Sequence, residues 1–352
     1  MISILFISFL VTFVTTYLII KYQYLYKSYS NDHDLKGKQK FHQIPVPRIG
    51  GTALLAGILI ATPPLWLVIA IQPIFIGGLL EDLTKKISPR SRLLLSFLSA
   101  IIALYGLGIG LRQLGWPWFD NNILSFPLIS LILTTVLIGG ISHAANIIDG
   151  FNGLLIGFTL MVLSIFTWVL WQLDDQFLLS IIFPTIASLV GLMIFNFPKG
   201  RIFLGDAGAY LIGFLLAIFS LMLIKRHPEV SPWFPLLVLV YPIFETVFSI
   251  YRKKFLRGKS PGMPDGIHFH MLIYKRIIPQ YFGIREKSWK RNALTSIVMW
   301  FIISPSLMIA LFFWNKHWVL VFGVVIFCFY YIFLYFLIVR FKLSKIKSNI
   351  IK

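Results

Sequence analysis

Several of the thirteen carboxylates in this chain stand beside glycines at the ends of long apolar runs. A charge is expensive there, so such residues are functional candidates by default. Glu81 and Asp82 close the run Gly77-Gly78-Leu79-Leu80. Adjacent carboxylates can hold a divalent cation, or by mutual repulsion form a proton acceptor; next to Lys85 and Lys86 they also read as a solvated acidic turn. Asn146 and Asp149 lie in Asn146-Ile147-Ile148-Asp149-Gly150-Phe151-Asn152-Gly153. The two glycines let a ligand approach the backbone closely, and Asn and Asp offer oxygens to a hard cation or a ribose. An Asx/Gly turn is the plainer reading, but a turn does not require both Asn146 and Asp149.

Asp206, in Gly205-Asp206-Ala207-Gly208, precedes another apolar run. It is either a helix cap or a Mg²⁺ ligand at a positive helix end that helps hold a diphosphate. His268 and His270, close to Asp265, can face one ligand if their segment is extended. Arg252, Lys253, Lys254, Arg257 and Lys259 nearby make an anion-binding surface, or simply meet anionic lipid headgroups. Lys40 and Arg48 sit in a prolyl-rich basic stretch ahead of Gly50-Gly51, which also reads as an interfacial anchor.

The elements that must position these residues are membrane spans. The chain of 352 residues is 58% hydrophobic and only 13% charged, against roughly 25% charged in a soluble domain. Apolar blocks predict an all-α, polytopic integral membrane bundle of about eleven helices, near 2–21, 49–62, 65–80, 92–110, 124–143, 153–172, 177–196, 207–224, 234–251, 294–314 and 317–339. The first block has no basic n-region or A-x-A-like cleavage site, so it reads as a retained helix. Residues 1–352 form one integral membrane domain, with 252–293 a basic loop carrying the His motif and folding against the bundle.

Charge placement sets the orientation. The net charge is +19, but 28 of the 32 Lys and Arg residues follow odd-numbered helices or close the chain. The positive-inside rule then puts the N-terminus outside and the C-terminus in the cytoplasm, and argues against nucleic acid. Asp32, Asp34, Glu81, Asp82, Asp149, Asp206, Asp265 and Glu286 fall on the cytoplasmic side, Asp120, Asp174, Asp175 and Glu229 outside, and Glu245 within the ninth span. The single cysteine, Cys328, excludes an intrachain disulfide. All five candidate segments thus converge on one face, where a metal could offset repulsion between a soluble polyanion and a lipid anion.

From Lys40 to His270 these motifs, in this order, resemble the polyprenyl-phosphate N-acetylhexosamine-1-phosphate transferase family, which includes the phospho-MurNAc-pentapeptide translocase. The resemblance implies ten or eleven helices around a cytoplasmic cleft, in a bacterial inner membrane. It implies transfer of N-acetylhexosamine-1-phosphate from a UDP-sugar to undecaprenyl phosphate with release of UMP, a first membrane step of a cell-surface polysaccharide such as O-antigen. The family's Asp-Asp motif falls on Glu81 and Asp82, which would handle or deprotonate the lipid phosphate. Its N-x-x-D-G-x-D-G motif falls on Asn146, Asp149, Gly150, Asn152 and Gly153, near nucleotide and diphosphate. Its G-D-x-G motif makes Asp206, helped by Asp149 or Asn146, the Mg²⁺ ligand, with Mn²⁺ an alternative. His268 and His270 would bind the sugar diphosphate, and with Lys40 and Arg48 neutralise developing charge. Asp265 is grouped with these ligand-binding residues. Membrane lipids, and as an allowed arrangement a second copy in a homodimer, complete the partners. Two departures stand out: Glu81 replaces an Asp, and Asn152 replaces the second Asp of its motif.

Two other classes compete with this reading. A secondary transporter or flippase would need ionisable residues at mid-depth, and only Glu245, beside Pro242, fits. A lipid-binding scaffold would give no reason for Asp149 and Asp206 on glycine turns.

Overall fold

The computed structural model describes residues 2–25, 45–258, 260, 262 and 265–340. Asp32, Asp34, Lys40 and Lys259 lie outside the described residues. Twelve principal helices follow in order: α1 (Ile2–Lys21), α2 (Gly50–Leu59), α3 (Leu65–Thr84), α4 (Pro89–Leu107), α5 (Pro127–Ile148), α6 (Leu154–Gln172), α7 (Gln176–Asn196), α8 (Gly205–Arg226), α9 (Trp233–Val238), α10 (Val240–Tyr251), α11 (Trp289–Phe313) and α12 (His317–Val339). Among the described residues there is no β-strand. Nine helices among the described residues are long and apolar enough to cross a membrane, and the chain is a multi-pass membrane protein.

Helices occupy all eleven predicted positions, with two differences in kind. The second is only 10 residues long, and the ninth is two helices, α9 and α10, meeting at Leu239. Pro242 accounts for the break: a proline clashes with the carbonyl four residues earlier, here Val238, and has no N–H to give it. Boundaries also shift toward the site. α3 runs on to Thr84, so Glu81 and Asp82 lie in its last turn; α5 extends to Ile148 and includes Asn146; α8 begins at Gly205 and includes Asp206. The polar-looking stretch Ser142-His143-Ala144-Ala145 stays helical because its small residues pack tightly. A Cβ on Gly213 of α8 would lie 2.6 Å from the Ser142 Cα.

α8 is the axis of the bundle, packed on α5, α3 and α2. Every residue from Gly205 to Ile224 is buried, as an apolar-all-round helix requires. By contrast Phe6, Tyr105, Phe301 and Phe329 expose most of their side chains, as lipid-facing positions do. α2 and α3 press on the first turn of α8: a Cβ on Gly51 would be 2.4 Å from the Gly208 nitrogen. Backbone bonds reinforce this contact, from Gly50 N–H to the Phe203 carbonyl (2.9 Å) and from Phe203 N–H to the Pro47 carbonyl (2.8 Å). This packing delivers Arg48 and Asp82 to the start of α8.

The loop 252–293 folds against the bundle only in part. Phe269, Met271, Leu272, Ile273 and Tyr274 are buried, whereas Phe255, Tyr281 and Phe282 are exposed.

Candidate active site

Asp206 is the hub. Its Oδ1 accepts from Arg48 Nη2 at 3.2 Å and from Asn146 Nδ2 at 3.2 Å, and its Oδ2 accepts from Arg92 Nη1. Asp82, buried in the last turn of α3, takes the backbone N–H of Asp206 on Oδ1 and that of Ala207 on Oδ2, both at 2.9 Å. A carboxylate there satisfies two otherwise orphaned amides and meets the positive end of the helix dipole. Arg48 Nη2 approaches Asp82 Oδ1 to 3.6 Å. Gly205 allows the arrangement: its φ is +71°, and a Cβ would fall 1.8 Å from the Arg48 carbonyl oxygen and 2.5 Å from Asp82 Oδ2.

Asp149 caps α5 one turn after Asn146. Among the described residues nothing donates a hydrogen bond to its carboxylate. Desolvation pushes that carboxyl up to about 7; Arg48 opposes the rise and the charge of Asp206 adds to it. Glu81 turns away, accepting from Ile87 N–H at 2.8 Å and closing the turn after α3.

The His segment packs against the Asp149 loop. The His270 ring meets Phe151 edge-on at 5.7 Å, and its Nε2 would be 3.2 Å from a Cβ on Gly150. Burial drives His270 down to about 3, with Glu245 raising it and His268 lowering it further, so the ring is neutral at physiological pH. His268 lies parallel to it, centroids 5.5 Å apart.

The structure therefore brings together Asp82, Asp149, Asp206, Asn146 and Arg48, with His268 and His270 joined through Gly150 and Phe151. Two expected ligand-binding residues go elsewhere. Asn152 is built into the packing: its N–H donates to Asn292 Oδ1 (2.6 Å), its carbonyl accepts from Ser296 (2.7 Å), and its Nδ2 donates to the Pro198 carbonyl (2.9 Å). Asp265 forms a buried ion pair with Arg252, whose hydrogen bond holds the carboxyl below its usual range despite the cost of burial. Asp82, expected with Glu81 to handle or deprotonate the lipid phosphate, has both oxygens on backbone amides of α8. Arg92 is the residue sequence reasoning missed. It stands in the first turn of α4, among four basic residues between 81 and 92 that all read as positive-inside charge.

Hard oxygens are the right donors for Mg²⁺, which commonly takes one or two protein carboxylates and completes its shell with water and phosphate. Asp206 uses three of about four lone-pair sites, and Asp149 is a desolvated acid with no donor among the described residues. The donor set therefore fits the ion. Among the described residues no three His, Cys, Asp or Glu side chains are grouped to hold a metal by themselves, so substrate phosphate would have to share it.

The fold is thus an all-helical membrane bundle that gathers acids, arginines and imidazoles at one end, in a charged site at the ends of its helices. The model of glycosyl transferase family 4 matches residues 64–224. The undecaprenyl-phosphate α-N-acetylglucosaminyl 1-phosphate transferase of Shigella flexneri is 30% identical over 253 residues, 67% of each chain. The Yersinia pestis protein of the same name is 28% identical over 258 residues, 69% of each chain. A Bacillus subtilis (strain 168) protein named probable undecaprenyl-phosphate N-acetylglucosaminyl 1-phosphate transferase is 28% identical over 288 residues, 78% of this chain and 75% of its own. The chain belongs to glycosyl transferase family 4, the polyprenyl-phosphate hexosamine-1-phosphate transferases.

Proposed function

We propose that this enzyme transfers N-acetylhexosamine-1-phosphate from a UDP-sugar to undecaprenyl phosphate at the cytoplasmic face of a bacterial inner membrane, releasing UMP. The observation that carries the reading is Asp206 at the positive end of α8, gripped by Arg48 and Arg92 beside Asp149, whose carboxylate has no hydrogen-bond donor among the described residues. Two phosphate-bearing substrates repel one another, and this constellation offers both guanidinium charge and a place for a cation. The names of the relatives support the lipid acceptor and the sugar.

In the proposed reaction a phosphate oxygen of the lipid attacks the β-phosphorus of the nucleotide sugar. The bond from that phosphorus to the bridging oxygen breaks, and the bridging oxygen leaves with UMP. Lipid phosphate is already largely ionised at neutral pH, so positioning and charge stabilisation are the main tasks. Arg48 and Arg92 would turn from Asp206 toward phosphate oxygens; the neutral His270 and its neighbour His268 would hydrogen-bond the donor diphosphate. Asp82 would hold Asp206 in register. A Mg²⁺ ion (Mn²⁺ as alternative) held by Asp206 and Asp149 would supply electrophilic stabilisation of phosphate charge. The product would start a cell-surface polysaccharide such as O-antigen. The transporter alternative loses its main support, because the oxygens of Glu245 are taken by three protein donors.

The test is UMP release by purified protein in detergent with undecaprenyl phosphate, Mg²⁺ and a panel of UDP-N-acetylhexosamines. Lipid-dependent UMP from one donor supports the reading and names the sugar. No UMP from any donor, with an active relative as control, would overturn it.

A further inference from the structure

Glu245 is outside the acid cluster, yet it is completely buried. Three donors converge on it. His268 Nδ1 lies 2.8 Å from Oε1, while Phe269 N–H at 3.1 Å and the Tyr331 hydroxyl at 2.7 Å serve Oε2. An ionised carboxylate only accepts, so Nδ1 of His268 carries a proton and Nε2 is left for another partner. His270 stands beside it: its Nδ1 is 3.1 Å from the hydroxyl of Tyr241, one turn before Glu245 on α10, and among the described residues its buried Nε2 has no partner.

The same two helices strap the start of the segment. Tyr335, one turn beyond Tyr331 on α12, accepts from Arg252 Nη1 at 2.9 Å and donates to the Ile267 carbonyl at 3.3 Å. Arg252 in turn pairs with Asp265. An apolar residue at 245 would fill the space without the desolvation cost of a buried carboxylate. What it could not do is fix the tautomer and ring plane of His268, the service a buried acid performs for an imidazole elsewhere.

We infer that Glu245, with Tyr331, is a positioning residue for the transfer reaction, holding His268 in its Nδ1–H form so that the parallel His268 and His270 rings face the phosphates of the donor. This rests on the proposed transfer. It also brings α12, which lies beyond the residues matched by the family model, into the machinery of the site.

The experiment is a double-mutant cycle on full-length protein in detergent, read as turnover and as affinity for the UDP-sugar that the wild type uses. Glu245→Gln lowers kcat/KM about 10- to 100-fold, and Glu245→Asp recovers part of the loss. In a His268→Ala background, Glu245→Gln costs nothing further, because its effect runs through the imidazole. Tyr331→Phe removes one donor and no bulk, so it repeats the pattern at smaller amplitude and serves alone if Glu245→Gln does not fold. If His268→Ala turns over too slowly, donor affinity carries the same comparison. An equal fold-loss in both backgrounds, or wild-type kinetics for Glu245→Gln and Tyr331→Phe, overturns the inference. A wild type that makes no lipid-linked product refutes the transfer reading itself, before any variant is compared.

Discussion

Asp82 holds the backbone of Asp206 rather than its side chain. Its two oxygens take the amides of Asp206 and Ala207 at 2.9 Å each, which fixes the first turn of α8 and aims the Asp206 carboxylate at Arg48, Arg92 and Asn146. Stability and activity are therefore joined at Asp82. Asp82→Asn turns an amide NH₂ toward one of those backbone donors and is expected to cost about 1–3 kcal/mol, with turnover falling as Asp206 loses its register. Thermal unfolding and UMP release on the same sample check this; unchanged stability would contradict the capping role.

Arg92 should matter as much as Arg48. Removing one charged donor from a site that stabilises phosphate charge typically costs about 10²-fold or more in rate. Arg92→Ala is expected to lower kcat/KM by about that factor, and Arg92→Lys to recover part of it, since Lys keeps the charge but not the fork. Steady-state kinetics with both substrates varied would reveal it.

Asn152→Asp should not improve the enzyme, although it would complete the family motif. The Asn152 amide donates to the Pro198 carbonyl at 2.9 Å; a carboxylate would set two acceptors against each other. A loss of about 1–3 kcal/mol is expected. A stable, faster variant in a thermal-shift and turnover comparison would show that the position faces ligand instead.

At the other end of the bundle, Asp175 gathers Arg226 Nε (2.6 Å), Arg226 Nη2 (3.0 Å), His227 Nε2 (2.8 Å) and Leu178 N–H (3.0 Å). Burial opposes ionisation, but these donors outweigh it and hold the carboxyl below its usual value. A depressed acid contributes stability that is fully present above its unfolded pKa, about 3.9, and is lost as pH falls through the lower folded value. Thermal midpoints of wild type should therefore drop below about pH 4 more steeply than those of Asp175→Asn, which should be less stable at pH 7. Parallel pH curves would contradict this.

Asp82, Asp149 and Asp206 could be placed at one end of the bundle from sequence, because apolar runs count off membrane crossings and each acid closes or opens a run. Arg92 could not, since nothing local separates it from Lys85, Lys86 and Arg90. Glu245 was visible as an acid within a span, but its partner Tyr331 is 86 positions away, a distance only the fold closes. The extension of α5 past His143 to Ile148 was hidden as well: hydropathy falls there, while packing against Gly213 keeps the helix going. Asn152 and Asp265 looked like ligands by residue type, and the fold gave each a protein partner.

The most direct measurement compares wild type with Asp206→Asn in Mg²⁺-dependent formation of lipid-linked sugar phosphate from undecaprenyl phosphate and UDP-N-acetylhexosamine, alongside a thermal unfolding curve. Product from the wild type, and none from a variant that unfolds at nearly the same temperature, is the expected result. A variant that keeps near-wild-type turnover would contradict the placement of the chemistry at Asp206.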